Sequence, residues 1–313
     1  MVLWPVEPSA ENEARNEVMH ESWRSAELAS YSSMNRLRFM AKSPRFDVKV
    51  CIIRVGGTNC DRETKRALED LGIKAEVIHL ARLLKEGNLL EYQGLVIPGG
   101  FSYGDYIRAG AILGKQIATK LGNELRAFID DGRPVLGICN GFQVIIEAGF
   151  LPGSKDSEAI LEAALTTNSS ARYECRWVHL LHENKGKCLF TSKVPYRRVL
   201  RIPIGHAEGR FVLLKEKEKE YLDRLIENDQ IVLRYCKPDG EPAMGEYPFN
   251  PNGSIYDIAG VCNPSGNVLG LMPHPERAYF GWQLPDWTRF GKPPAYGDGR
   301  LIFESFVDYL KRF

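Results

Sequence analysis

Residues 134–143 read Pro-Val-Leu-Gly-Ile-Cys-Asn-Gly-Phe-Gln. A short apolar run closes in Gly137-Ile138-Cys139-Asn140-Gly141 and passes straight into a helical pattern. That is the layout of a nucleophile elbow with sulfur in place of a hydroxyl oxygen. Such a turn is crowded, so the positions around the nucleophile must lack bulk, and Gly137 and Gly141 meet that need. The spacing predicts that the thiol of Cys139 stands exposed at the carboxyl end of a strand. The N-terminal dipole of the next helix then faces it and favours thiolate. Far downstream, Met272-Pro273-His274-Pro275-Glu276 supplies a base and a carboxylate two residues apart.

A free thiol titrates near 8.5, so only a few per cent is thiolate at neutral pH, and a lowered pKa raises the reactive fraction by at most about thirtyfold. Cleaving an amide needs more than that. An oxyanion hole and a proton donor must supply the rest, and one lost oxyanion donor typically costs about 10²–10³ in rate. The candidate donors are the backbone N–H of Asn140, directly after the nucleophile, and an N–H from the Gly99-Gly100 loop. His274 is placed to take the thiol proton and return it to the leaving amine. Glu276 is placed to hold the imidazole and stabilise its cation. Pro275 restricts His274 to extended geometry. Residues two apart in an extended segment share a side, so His274 and Glu276 are expected to meet.

These residues need a scaffold that carries them to one place, and the chain has the pattern for one. Val48–Val55, Ala75–Leu80, Leu95–Ile97 and Val135–Ile138 are short apolar strands, separated by helical patterns at Asp61–Leu71, Ile107–Lys120 and Glu124–Asp131. Such alternation predicts an α/β fold with a doubly wound, mostly parallel sheet. Ligands then bind at the carboxyl ends of the strands, where Gly99-Gly100 and Cys139 both fall. After about residue 173 the texture changes to alternating strands, at Tyr173–Leu181, Val199–Ile204, Arg210–Leu214 and Ile231–Tyr235, with a helix at Glu216–Glu227. Ile258–Cys262 and Val268–Met272 flank a hairpin signal at Asn263–Asn267, and an amphipathic helix at Leu301–Lys311 follows. An antiparallel extension of the parallel sheet is expected from this half. One domain over residues 47–313 is expected, because the proposed site draws on both halves. Residues 1–46 are polar, with a thin apolar face over about residues 10–30, and are expected to be a mobile extension.

The chain has 313 residues, 44% apolar and 26% charged, with a formal charge of +1. That balance argues against a nucleic acid or an anionic membrane as a principal partner. No apolar run approaches the length of a membrane span. Glu7 and Glu11 leave no secretory signal visible, and seven scattered cysteines fit reduced thiols in a cytoplasm. No metal site is expected. Cys175, His179, His182 and Cys188 have the residue types for zinc but lack a Cys-x-x-Cys pair. Residues 110–116 miss the phosphate-loop pattern and are better read as helix. His206 and Glu208, in Gly205-His206-Ala207-Glu208-Gly209, either line the site, contact a partner or serve a turn, and Phe101 is a further candidate for lining it. Cys51, Cys60, Cys236 and Cys262 read as packing residues.

Taken with Gln143, the elbow and the later His-Pro-Glu resemble the class I, or triad, glutamine amidotransferases. Within that family the similarity is greatest to glutaminase subunits of purine synthesis. It is carried by Gly57-Thr58-Asn59-Cys60-Asp61, the run Pro98-Gly99-Gly100-Phe101-Ser102-Tyr103-Gly104-Asp105, residues 137–143, Gly205–Gly209, Asp257-Ile258-Ala259-Gly260-Val261 and residues 272–277. The resemblance spans about residues 48–312. It implies a flavodoxin-like α/β fold, a triad of Cys139, His274 and Glu276, and a part for Gln143 in binding glutamine. It implies no cofactor in this chain, with ATP and Mg2+ used by a separate synthetase large subunit and a small accessory subunit completing the assembly. No ATP-binding motif is present in this sequence. Elbow-cysteine peptidases and deglycases lack the His-Pro-Glu pair and Gln143. A glutaminase of another pathway and a non-catalytic scaffold are the remaining alternatives. Two segments depart from the family pattern: the extension before residue 47, and 278–296 with Trp282, Trp287, Pro293 and Pro294, read as a packed or flexible loop before a lid or docking surface.

Overall fold

A computed structural model describes residues 48–153 and 162–313. The amino-terminal extension, with its candidate helix over about residues 10–30, lies outside the described residues. In chain order the regular elements are β1 (Lys49–Arg54), α1 (Asp61–Asp70), β2 (Lys74–His79), α2 (Leu80–Glu86), β3 (Gly94–Ile97), α3 (Ala111–Lys120), α4 (Gly122–Asp130), β4 (Val135–Ile138) and α5 (Asn140–Glu147). They continue with β5 (Ala163–Thr166), β6 (Glu174–His182), β7 (Val199–His206), β8 (Arg210–Leu213), α6 (Glu218–Glu227), β9 (Ile231–Cys236), β10 (Ile258–Cys262), β11 (Val268–Leu271) and α7 (Arg300–Leu310).

Nine of these strands form one sheet in the order β2-β1-β3-β4-β11-β10-β9-β6-β7. The first five run parallel, and β10, β9, β6 and β7 add antiparallel. This is the α/β architecture that the strand and helix pattern predicts. Every residue of β3, β4 and β11 is buried, as expected for strands covered on both faces and therefore apolar without alternation. Two glycines let helices lie close to that sheet. A Cβ at Gly94 would meet Phe306 and Leu310 of α7 at 3.0 and 3.1 Å, and one at Gly270 would run into the Phe142 ring of α5.

The register is what brings the chemistry together. Strand β11 enters beside β4 with Leu271 opposite Ile138, so the two strands end at the same level. The Cys139 amide donates to the Leu271 carbonyl at 2.8 Å. Chain leaving β4 carries the thiol, and chain leaving β11 reaches His274 within three residues.

Several local expectations shift. The helix read as Ile107–Lys120 begins only at Ala111, because Gly110 is left-handed at φ 75°. A Cβ there would be 2.8 Å from both Gln143 Cβ and the Val144 amide, so the turn is pressed against α5. Tyr106 and Ile107, apolar in pattern, are exposed. Helix α2 and strand β5 are additions; β5 pairs with β8 as a separate two-stranded sheet. The 278–296 segment packs instead of hanging free. Ala278 and Tyr279 are fully buried, the Tyr279 hydroxyl donates to Asp70 at 2.8 Å, and Arg66 lies over the rings of Phe280 and Trp282. No helix among the described residues is long and apolar enough to cross a membrane.

Candidate active site

Cys139 sits between β4 and α5 with φ 50° and ψ −104°, a conformation that costs a non-glycine residue of order 1–3 kcal/mol. The neighbouring glycines make it possible. A Cβ on Gly137 would lie 2.5 Å from Ile145 Cδ1 and 2.7 Å from the Gly141 carbonyl, and one on Gly141 would overlap the Ile97 carbonyl. The thiol is less open than the sequence suggests: Cys139 is 4% exposed. It reaches solvent through a cleft of about 290 Å³, open mouth included, that Gly100, Phe101 and Gln143 also line. Its Sγ also lies 3.5 Å from the Gly205 carbonyl.

His274 and Glu276 meet. The Nδ1–Oε1 distance is 2.6 Å and both side chains are buried. The route differs from simple strand alternation, because residues 275–277 form a 3-10 turn. Only His274 keeps the more extended geometry that a following proline imposes (φ −106°, ψ 87°). The His274 amide donates to Pro203 of β7 at 2.8 Å, and Gln283 Nε2 donates to the Glu276 carbonyl at 3.0 Å. With Nδ1 taken by Glu276, Nε2 is the ring nitrogen left for a thiol. Burial is the largest influence on the imidazole and opposes its charge. The Glu276 carboxylate and Cys139, the latter by charge and hydrogen bond, outweigh it and raise the His274 pKa well above its ordinary value. The site therefore favours imidazolium.

The two glycines of the Pro-Gly-Gly loop have different surroundings. Gly100 lines the cleft. The bridge between Thr58 and Gly100 is flanked by Asn59 N–H to the Gly99 carbonyl (3.3 Å) and Phe101 N–H to the Gly57 carbonyl (2.9 Å), which turns the Gly100 amide to the other side. Gly99 packs against the His274 imidazole instead: a Cβ there would be 2.7 Å from His274 Cε1. At the start of α5 the amide of Asn140 has no intrahelical acceptor. The Asn140 side chain ties that turn to the loop, accepting from the Ser102 amide at 3.1 Å and donating to Gln143 Oε1 at 2.9 Å. Gln143 Nε2 donates to the Glu208 carbonyl at 2.6 Å. Both ends of Gln143 are thus engaged in bracing the cleft wall. Phe101 is half exposed and stacks with Tyr173 at a centroid distance of 6.3 Å.

Two features go beyond what the sequence alone suggests. Cys60, expected to be a packing residue, lies 3.8 Å from His274 Nδ1 and accepts from Arg277 Nη2 at 3.1 Å. Burial, partly offset by its hydrogen bond to His274, raises its pKa, so it is a neutral thiol beside the imidazole. The only hint in the sequence was its place in Gly57–Asp61. Cys60, His274 and Glu276 are also the one group of potential metal ligands within reach of one another among the described residues, and the 2.6 Å hydrogen bond already occupies two of them. Cys175, His179, His182 and Cys188 are not brought together: His182 Nδ1 bonds the Pro195 carbonyl at 3.1 Å, and Cys188 lies beside Cys262. His206 and Glu208, in Gly205–Gly209, both line the cleft.

A thiol on a strand-to-helix elbow, with an imidazole–carboxylate pair arriving from the adjacent strand, defines the class of thiol-dependent amide-cleaving enzymes built on a parallel α/β sheet. Residues 47–310 match the family model of the CobB/CobQ-like glutamine amidotransferase domain. The chain is 46% identical over 278 residues to phosphoribosylformylglycinamidine synthase subunit PurQ of Archaeoglobus fulgidus, covering 86% of this chain and 99% of that protein. It is 44% identical over 241 residues to the same-named subunit of Treponema denticola, covering 73% and 87% of the two chains. A chain of the solved structure of PurLQS from Thermotoga maritima superposes with a TM-score of 0.61 at 35% identity, over 84% of this chain and 99% of that one. The chain belongs to the CobB/CobQ-like glutamine amidotransferase family.

Proposed function

We propose that this chain is the glutaminase component of phosphoribosylformylglycinamidine synthase, acting through Cys139, His274 and Glu276. The observation that carries the reading is the buried His274–Glu276 pair at 2.6 Å, entering beside the strained Cys139 elbow in a chain 46% identical to a PurQ subunit. His274, protonated by the thiol, leaves thiolate to attack the glutamine carboxamide carbon. The amides of Gly100 and Asn140 receive the developing oxyanion. As the C–N bond breaks, the imidazolium gives its proton to the departing ammonia, and a Cys139 thioester remains. His274, now neutral, takes a proton from water, whose oxygen attacks the thioester. Glutamate leaves and the thiol is restored.

The ammonia passes to a separate synthetase large subunit that uses ATP and Mg2+ to convert formylglycinamide ribonucleotide to the amidine, with a small accessory subunit in the assembly. The reaction is placed in the cytoplasm. Glutamate release measured with and without the synthetase partner tests the proposal, together with labelling by a glutamine-like electrophile. The adduct is expected on Cys139, and Cys139→Ala is expected to abolish glutamine use while the protein still folds. Retained glutamine hydrolysis in that variant would count directly against the mechanism.

A further inference from the structure

The cleft beside Cys139 has a charge pattern that thioester chemistry alone does not need. Its charged lining residues are both acids, Asp105 and Glu208, and no lysine or arginine lines it. The two carboxylates arrive from different segments and are held separately. Glu208 Oε2 accepts from the Ala109 amide at 3.1 Å. Asp105, left-handed at φ 52°, accepts from Asn140 Nδ2 at 3.4 Å. They are close enough to feel each other: burial, and then the charge of Glu208, push the Asp105 carboxyl up to about 6. Two like charges held together in a substrate cleft without a cation invite one.

A third acceptor lies in the same wall. His206 is 3% exposed. Asn168 donates through Nδ2 to the Arg172 and His206 carbonyls, both at 2.9 Å. Its Oδ1 therefore faces His206 Nδ1 at 3.1 Å and the Gly209 amide at 2.9 Å. An oxygen acceptor there puts the His206 proton on Nδ1 and a lone pair on Nε2. Burial, helped by the nearby charge of His274, drives the His206 pKa down to about 3, so the ring stays neutral. Its Nε2 is buried and has no hydrogen-bond partner in the protein. A buried acceptor with no donor is costly unless a ligand supplies one.

We infer that Glu208 and Asp105, with neutral His206 in the same wall, form the subsite that reads the α-ammonium group of glutamine. The inference rests on the glutaminase reading and adds the specificity device to it. Glutamine carries one cationic group, separated by a short aliphatic stem from the carboxamide that must reach Cys139. Carboxylates that line the same cleft as Cys139 are placed to hold that group while the carboxamide is at the sulfur.

The test compares glutamine with glutaramate, the same molecule without the α-amino group, in the assembled complex with its synthetase. Glu208→Gln keeps an oxygen for the Ala109 amide and removes the charge; Asp105→Asn does the same at the second carboxylate. A charge-assisted hydrogen bond corresponds to about tenfold to a hundredfold in binding. The expected result for Glu208→Gln is a rise of that size in the glutamine KM, with the inhibition constant of glutaramate changed by less than about twofold. An equal loss for both molecules would mean the acids only support the wall, and would overturn the inference. So would an unchanged glutamine KM with less ammonia delivered to the synthetase, which would assign the acids to the product. If the unsubstituted complex releases no glutamate at all, the glutaminase reading has failed instead.

Discussion

Gly99→Ala is the most discriminating single change in this site, because it adds one methyl group directly against the base. The new Cβ would lie 2.7 Å from His274 Cε1 and 3.3 Å from His274 Nδ1, with Cys60 Sγ at 3.2 Å. Relaxed carbon contacts sit near 3.5–4.0 Å, so the ring has to retreat by about 1 Å. It has little freedom to do so gently, being tied to Glu276 at 2.6 Å through Nδ1 and to Pro203 at 2.8 Å through its own amide. Gly99 is not among the residues with positive φ, so alanine suits the backbone and the effect falls on the imidazole. A displacement of that size in a catalytic group costs about 10² in rate. Overpacking of this kind costs about 1–3 kcal/mol in stability. Steady-state glutamine hydrolysis by the complex, paired with a urea midpoint, separates the two. A kcat within about threefold of the unsubstituted enzyme would show that His274 is not held where the reaction needs it.

Glu276→Gln is expected to lower kcat by up to about 10⁴, as for loss of the carboxylate in other triads. It also has a pH signature. The raised pKa of His274 contributes stability fully present below the unfolded value of about 6.5 and lost as pH rises through the higher folded value. The variant leaves burial unopposed by that carboxylate, so the difference in urea midpoint between the two proteins should be widest on the acid side and shrink as pH rises. A constant difference from about pH 6 to 9 would refute this. Gly141→Ala places a methyl on the Ile97 carbonyl and should destabilise by about 3 kcal/mol or more, read as a large drop in Tm; an unchanged Tm refutes the elbow geometry. Phe142→Ala removes a fully buried ring that fills the space left by Gly270 and stacks on Phe211 at 6.2 Å. A loss of about 3–5 kcal/mol in denaturant unfolding is expected, and a loss under about 1 kcal/mol would contradict the packing described.

The parallel half of the sheet was legible because β1, β3 and β4 are continuous apolar runs punctuated by glycine, and runs that short and uninterrupted suit a strand covered on both faces. The Cys139 elbow was legible because crowding leaves so few residue types possible at Gly137 and Gly141; that His274 and Glu276 meet was legible too, though the 3-10 turn that joins them was not. What escaped was set by contacts between distant segments. Helix α3 starts late because Gly110 must press against α5, which no local periodicity records. Strand β5 exists because β8 pairs with it. Cys60 looked like a small apolar residue, and only the return of the chain at residue 274 makes it a neighbour of the base. Glu208 was a candidate for lining the site, but its pairing with Asp105 was hidden for the same reason: the two meet only when the third and seventh strands bring their loops together.

The insertion of β11 between β4 and β10 sets an order of events during synthesis. The sulfur is made in the first half of the chain, and the His274 segment emerges late, after the whole antiparallel half and ahead only of residues 278–313. Under the proposed mechanism, a nascent polypeptide carries Cys139 without its base until residue 274 has been added. Over the same interval β4 has one flank unpaired and apolar, the kind of edge that recruits foreign strands. Fragments ending before Val268 should consequently precipitate or bind chaperones, while a separately supplied carboxyl-terminal piece that restores β11 should bring back both solubility and reactivity.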